Sequence, residues 1–420
     1  MRPSKSRCAI SISIRARWIG SRLSDGLGVG VLGLCSIFLS LLVLPPSLVP
    51  QSGKASKRPV QLDRNIQWRR DRATGELHAV TADRADAGIE GDRVTEPRAL
   101  HVRTQMVAVT CIVSAADGSP VQGLGRDDFR ILDDGAGRPV SYFDASTEPA
   151  SIALVLDASP SVLRDSEEMK QAAEALIGSL APLDQAAVVD FSSHTYLLLG
   201  FSDVREQIRR AVARVDVREL LGDTGGSNIY EAVYLTAYQL FPGHKGRKAI
   251  LLLTDGQDSG LGLTLDPAST RPGPGPAADR LTFDDVVRTL AEQDIQVFAV
   301  STENRPKVMT QEWLAARENT TLIDPSARRL GIPPYTLYLA ELVRRAGGQL
   351  YFLRESKTMA DTFRKIAEEI RAEYTLGFSP VGAASNAGAS PGWHRLSVAV
   401  VDQPNTRVAS RAAYYVPATP

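Results

Sequence analysis

The stretch Ile152-Ala-Leu-Val-Leu156, followed by Asp157-Ala-Ser-Pro-Ser161, decides how the chain is read. An uninterrupted apolar run of this length predicts a short strand buried on both faces, as in a parallel sheet. Behind it, Asp157, Ser159 and Ser161 place three oxygen-bearing side chains at alternate positions. A turn there can aim all three at one point. One carboxylate and two hydroxyls make a hard-oxygen set, suited to Mg²⁺, Mn²⁺ or Ca²⁺ rather than to a soft metal. Alone, D-x-S-x-S is equally the composition of a turn or a helix cap. Its meaning depends on what the rest of the chain places beside it.

From residue 150 onward, strands and helices alternate. Strands are predicted at 152–156, 187–191, 196–199, 249–253, 296–300 and 349–352. Helices are predicted at about 167–180, 204–215, 229–240, 283–293, 337–346 and 359–372, the fourth opened by a capping box of Thr282 and Asp285. Alternation of this kind implies an α/β fold: a doubly wound, mostly parallel sheet with helices on both faces. Ligands of such sheets bind at the carboxyl ends of strands, where the strand order reverses. Two more oxygen-rich turns occupy such places. Leu251-Leu-Leu253 runs into Thr254-Asp255-Gly256, and Gly222-Asp-Thr224-Gly-Gly-Ser227-Asn228 opens a helix. Each alone reads as a turn aspartate or a helix cap. Together with Asp157, Ser159 and Ser161, they form a candidate cation site of Asp157, Ser159, Ser161, Ser227 and Asp255, with Thr224 near.

The flanks divide the chain further. Residues 1–50 form a basic N-terminus followed by an uncharged apolar run at 27–44, read as a signal anchor or a long signal peptide. The length of the run, and the lack of a clear A-x-A cleavage site after it, favour the anchor. In either case the basic flank stays in the cytoplasm and the remainder crosses, which puts the folded part in the cell envelope. Residues 51–100, rich in Pro, Ser, Arg and Asp, read as a linker, partly disordered. Residues 101–149 read as a small β-unit, 150–373 as the α/β domain and 374–420 as a C-terminal β-tail. The β-unit and the tail are expected to pack together as a small sandwich beside the α/β domain. Two long loops, 260–280 and 304–334, interrupt the alternation and are read as functional or disordered.

Composition excludes several classes. The 420 residues are 43% hydrophobic and 23% charged, with no net charge. Six basic residues and one acid, Asp25, lie before residue 26, leaving 42 basic and 47 acidic residues in the remainder. No nucleic-acid signature is present. Of three cysteines, only Cys111 falls in the folded part, so a disulfide framework and a cysteine zinc site are excluded. No G-x-S-x-G elbow surrounds Ser159 or Ser161 and no P-loop is present, so the chain is read as a non-enzyme.

Asp157-x-Ser159-x-Ser161, Gly225-Gly-Ser227 and Thr254-Asp255-Gly256 together resemble the von Willebrand factor type A domain and its metal-ion-dependent adhesion site. The resemblance implies that the first aspartate, both serines, a hydroxyl after the glycines and the later aspartate surround one divalent cation. Ser227 stands where threonine is usual, which leaves Thr224 as the alternate ligand, and Pro160 stands where glycine is frequent. The flanks, Gly123-Leu-Gly-Arg-Asp-Asp-Phe129, Tyr374-Thr-Leu-Gly-Phe-Ser-Pro380 and Ala413-Tyr-Tyr-Val-Pro417, are similar to bacterial proteins grouped as VWFA-related and common in acidobacteria. Two carboxylates and three hydroxyls neutralise a divalent ion only in part. The expected function is therefore metal-dependent binding of a partner protein through its Asp or Glu carboxylate. The alternatives are a metal-free envelope scaffold and a hydrolase.

Overall fold

A computed structural model of the chain describes residues 59–416 apart from 65, 71–76, 82–105, 117, 146–147, 216–225, 262–279, 311–312, 315, 318–319, 354–358, 381–389 and 404. The expected anchor at 27–44 lies outside the described residues. Among those described, no helix is long and apolar enough to cross a membrane.

The segment read as a linker holds three strands, β1 (Val60–Gln61), β2 (Ile66–Arg70) and β3 (Leu77–Thr81). The stretch 51–100, read as a linker and partly disordered, is thus in part strand. Ile66 and Trp68 alternate with Gln67 and Arg69 and turn toward the core, while Leu62, Leu77 and Ala79 are buried outright. A short apolar stripe of period two was hidden among charged neighbours.

Strands β4 (Val107–Ser114), β5 (Phe129–Asp133), β6 (Ala136–Arg138) and β7 (Tyr142–Asp144) follow. The chain then leaves for the α/β domain and returns to this unit after it. The domain's parallel core is β9-β8-β11-β12-β13, from β8 (Ala150–Asp157), β9 (Gln185–Phe191), β11 (Arg247–Thr254), β12 (Gln296–Ser301) and β13 (Leu350–Phe352). Strand β10 (Thr195–Ser202) and then β1 extend one edge antiparallel. From β8 the chain steps outward to β9 and β10, then crosses back to β11 on the other side. The strand order therefore reverses between β8 and β11, as expected of a doubly wound sheet.

Helices cover both faces because the strand residues alternate between two cores. Ile152, Leu154 and Leu156 face α1 (Ser166–Ser179), α2 (Arg205–Val212) and α7 (Met359–Arg371). Ala153 and Val155 face α3 (Ile229–Leu240), α4 (Phe283–Glu292) and α6 (Pro334–Ala346). In α1, buried Met169, Ala172, Ala173, Leu176 and Ile177 follow the helical repeat. The loop at 304–334 is largely packed rather than loose. It holds the short helix α5 (Pro325–Arg329), and Met309, Leu322, Ala327 and Ile332 are buried in two small cores. Of the loop at 260–280, residues 262–279 lie outside the described residues.

After α7 come β14 (Glu373–Phe378), β15 (Gly392–Val400), β16 (Arg407–Ser410) and β17 (Ala413–Val416). They join the earlier strands in two four-stranded sheets, β16-β4-β14-β7 and β17-β15-β5-β6. Val109, Cys111, Ile131, Leu376, Phe378 and Leu396 fill the space between. The expected sandwich is thus present, and the α/β domain is inserted between two of its paired strands, β7 and β14.

The sandwich is tied to the amino end of the parallel sheet. Arg247, the first residue of β11, donates to the carbonyls of Arg371 (2.7 Å) and Glu373 (3.1 Å) and lies 3.9 Å from the buried Glu373 carboxylate. Burial pushes the Glu373 carboxyl well above the usual range, and Arg247 offsets this in part. Removing one partner of a buried charged pair leaves the other uncompensated. Arg247→Ala is expected to cost about 3 kcal/mol or more, read as a lower urea midpoint. An unchanged midpoint would contradict this account of the junction.

Candidate metal-ion site

Strands β8 and β11 end side by side at the switch point, with Leu253 opposite Leu156. Register carries the next residues, Asp157 and Thr254, to the same edge. Asp157 is fully buried. Its Oδ1 accepts the backbone N–H of Ser159 (2.9 Å), and its Oδ2 accepts the hydroxyls of Thr254 (2.6 Å) and Ser227 (3.2 Å). The Ser159 and Ser161 hydroxyls lie 3.0 Å apart. Ser159, Ser227 and Asp255 are buried, whereas Ser161 is exposed. Four of the five predicted residues are thus linked in one hydrogen-bonded group. Asp255 is not hydrogen-bonded to them; its oxygens accept from the backbone (2.9 Å) and side-chain amide (3.3 Å) of Gln257. Its negative charge nevertheless acts on Asp157. Thr224 lies outside the described residues.

Close loop contact brings Ser227 to this group. The Ser259 N–H donates to the Ser227 carbonyl (2.7 Å), and a Cβ on Gly226 would fall 1.8 Å from Ser259 Oγ. Only glycine allows that approach. Asn228 makes no side-chain cap at the start of α3. Asp258, in the loop after β11, reaches that helix end instead, and its carboxylate also accepts the Leu261 N–H (2.8 Å). Thr254 and Asp258 were not read from the sequence as parts of the site. Thr254 was legible in principle, because it immediately precedes Asp255 at a strand end. Asp258 was not, because it acts on a helix start distant in sequence.

The electrostatics of this group are unbalanced. Burial raises the Asp157 pKa to about 6, the Ser159 and Thr254 hydrogen bonds hold it down in part, and the like charge of Asp255 adds to the rise. Among the described residues, none of the groups with the largest effect on it is cationic. Two buried carboxylates beside hydroxyls, with no ion pair to either among the described residues, fit a hard divalent cation. Asp157, Ser159, Ser161, Ser227 and Asp255 are the residues that would hold it.

A second group, Asp133, Asp134 and His394, brings ligand atoms within 4.8 Å of one another. It reads as an ion-pair latch instead. His394 uses both ring nitrogens, with Asp134 Oδ2 (2.8 Å) and the Ser390 carbonyl (2.7 Å). Burial works against the charged ring, but these hydrogen bonds outweigh it and raise its pKa. Asp133 is engaged by Arg138 (2.9 Å) and the Tyr414 hydroxyl (2.9 Å). No ring nitrogen is left to ligate.

The pH dependence follows from Asp157. Its folded pKa lies above its unfolded value of 3.8, so the fold disfavours the ionised form. Stability is therefore lost as pH rises from about 4 through about 6. Asp157→Asn has no charge to bury. In chelator, the variant is expected to gain on the parent by about 3 kcal/mol between pH 4 and 7 in urea unfolding. Parallel pH profiles would contradict the assignment.

Comparison with known proteins bears on the same residues. Residues 152–257 match the family model of the von Willebrand factor type A domain, a span that contains all five candidate ligands. No curated protein matches the chain. Among solved structures, an aerotolerance-related membrane protein from Bacteroides fragilis is 14% identical at TM-score 0.35, over 53% of this chain and 98% of its own. Proximal thread matrix protein 1 from the mussel byssus, with a zinc-occupied MIDAS motif, is 14% identical at TM-score 0.37, over 56% and 48%. A von Willebrand factor type A protein from Catenulispora acidiphila is 12% identical at TM-score 0.35, over 76% and 75%. Likeness at that level adds no weight to the family match. That match identifies residues 152–257, which carry the central strands and the candidate site, as a von Willebrand factor type A domain.

Proposed function

We propose that this protein is a metal-ion-dependent binding module that takes an anionic side chain, Asp or Glu, of a partner protein. The observation that carries the proposal is the buried pair Asp157 and Asp255 beside three hydroxyls at the sheet's switch point, with no ion pair to either among the described residues. When bound, a divalent cation such as Mg²⁺, Mn²⁺ or Ca²⁺ supplies an electrophilic centre for an oxygen of the partner. Ser159, Ser161 and Ser227 give neutral oxygens, which leave much of that charge unquenched. Exposed Ser161 marks the side from which a partner's carboxylate can approach. Binding is favoured over catalysis because the three serine hydroxyls are hydrogen-bonded to one another or to Asp157 and not to an imidazole. Display on the outer side of the cytoplasmic membrane rests on the basic flank and the apolar run at 27–44.

One observation favours a metal-free scaffold instead: the Asp157 carboxylate already accepts three hydrogen bonds. The two readings separate in a melting experiment. Millimolar Mg²⁺ or Mn²⁺ is expected to raise the melting temperature of the parent and leave Asp157→Ala unmoved. A parent indifferent to both ions favours the scaffold. Under the metal-dependent reading, a partner captured from the same cell envelope is released by chelator. Retention in chelator would count against it.

A further inference from the structure

The docked N-terminal segment lies against the elements that build the site. Val60 and Gln61 pair with Leu197 and Tyr196, and the Leu62 N–H donates to the Thr195 carbonyl (2.8 Å). Gln239 of α3 donates to the Leu62 carbonyl (3.1 Å), and the Tyr234 hydroxyl to the Leu77 carbonyl (2.9 Å). Trp68 packs edge-on against Tyr234, with ring centroids 5.2 Å apart. Arg70 grips Asp285 of α4 with two bonds of 3.0 Å.

One contact in this segment leads toward the candidate cation site. Asp63 Oδ2 lies 2.7 Å from His194 Nδ1. His194 closes the turn between β9 and β10, where its carbonyl accepts the Ser192 N–H (3.0 Å). That turn holds Asn228 from two sides. Ser192 O accepts the Asn228 N–H (2.8 Å), and Ser193 O accepts the Asn228 side-chain amide (2.8 Å). Asn228 directly follows Ser227. The segment and the site are therefore joined by consecutive contacts, Asp63 to His194, the turn, Asn228 and Ser227.

The charge around His194 makes this contact more than a surface pair. Glu231 and Asp258 lie in the same neighbourhood, and burial, then Asp63, raise the Glu231 pKa while His194 lowers it. Asn228 also reaches Glu231, at 3.4 Å. The Asp63 side chain is 11% exposed and its Oδ1 is buried without a hydrogen-bond partner, whereas His194 is 50% exposed. The imidazole is thus the donor group set among Asp63, Glu231 and Asp258. Without it, Asp63 and Glu231 lose the ring that offsets their charge beside the turn that fixes Asn228.

We propose that Asp63 and His194 are positioning residues for the cation site, by which the segment ahead of the sandwich sets the place of Ser227. The inference rests on the metal-binding reading above. Neither residue touches the candidate ligands; both act through the 192–194 turn. Supporting residues beyond the ligands commonly change metal affinity tenfold or more.

The test is titration of the full chain with Mn²⁺ alone, read by the free-ion paramagnetic resonance signal, alongside melting temperature in chelator. Asp63→Ala and His194→Ala are expected to weaken Mn²⁺ binding about tenfold, with little change in melting. Asp63→Asn keeps an acceptor for the ring N–H but removes the charge, and it is expected to stay within about twofold of the parent. Where the alanine variants also melt early, the comparison of Asp63→Asn with Asp63→Ala decides. Recovery in the asparagine variant supports positioning. Equal weakening in both reports only the lost charge and overturns it, as does parent-like affinity in the alanine variants. A parent that takes no Mn²⁺ at millimolar concentration overturns the metal reading itself, a result distinct from parent binding with unaffected variants.

Discussion

A carboxylate is buried at the carboxyl end of the central strand with only hydroxyls and one amide to hold it, and a second carboxylate stands close by. Burying an ionised group without a counter-charge is costly. Folding accepts that cost because the strands on either side of Asp157 bury apolar side chains on both faces. The sheet cannot shift by one residue without exposing them. Asp157 is carried into the interior by its register, as Thr254 is by that of the neighbouring strand. Hydrophobic order in the sheet thus fixes polar order at its edge.

The remainder of the described structure keeps that edge open and steady. The sandwich is fastened at the opposite end, where Arg247 begins its strand, about 25 Å from where the strand ends. Buried Arg411 adds a second tie, 3.5 Å from Asp294, which in turn accepts the Thr110 hydroxyl at 2.9 Å. Because the α/β domain is inserted between β7 and β14, both of its chain connections lie on the sandwich side. The loops at the site end are braced from elsewhere, by Asp258 at the start of α3 and by the N-terminal segment beside it.

Much of this was legible in the sequence. Apolar runs bounded by Asp, Ser and Gly mark the parallel strands, because strands buried on both faces have little room for polar residues. Helices with a regular apolar face, such as α1 with Met169, Ala172, Ala173, Leu176 and Ile177, were equally plain. The Thr282–Asp285 capping box was readable because its two residues are local. What was not legible is what depends on distant partners. Strand β1 is two residues long and exists only because β10 offers an open edge. Trp68 looks like part of a charged linker until Tyr234 stands against it. Asp255 was read as one of five converging ligands, yet its oxygens here turn to Gln257, a local choice that spacing does not predict. Asp258 and His194 support the site through contacts that no pattern along the chain records.

The proposed binding chemistry depends on a single hard cation at the end of β8. The most direct measurement is a crystal soaked in Mn²⁺ and read by anomalous scattering. One strong peak is expected among Asp157, Ser159, Ser161, Ser227 and Asp255. No peak there, or a peak only at Asp133, Asp134 and His394, would contradict it.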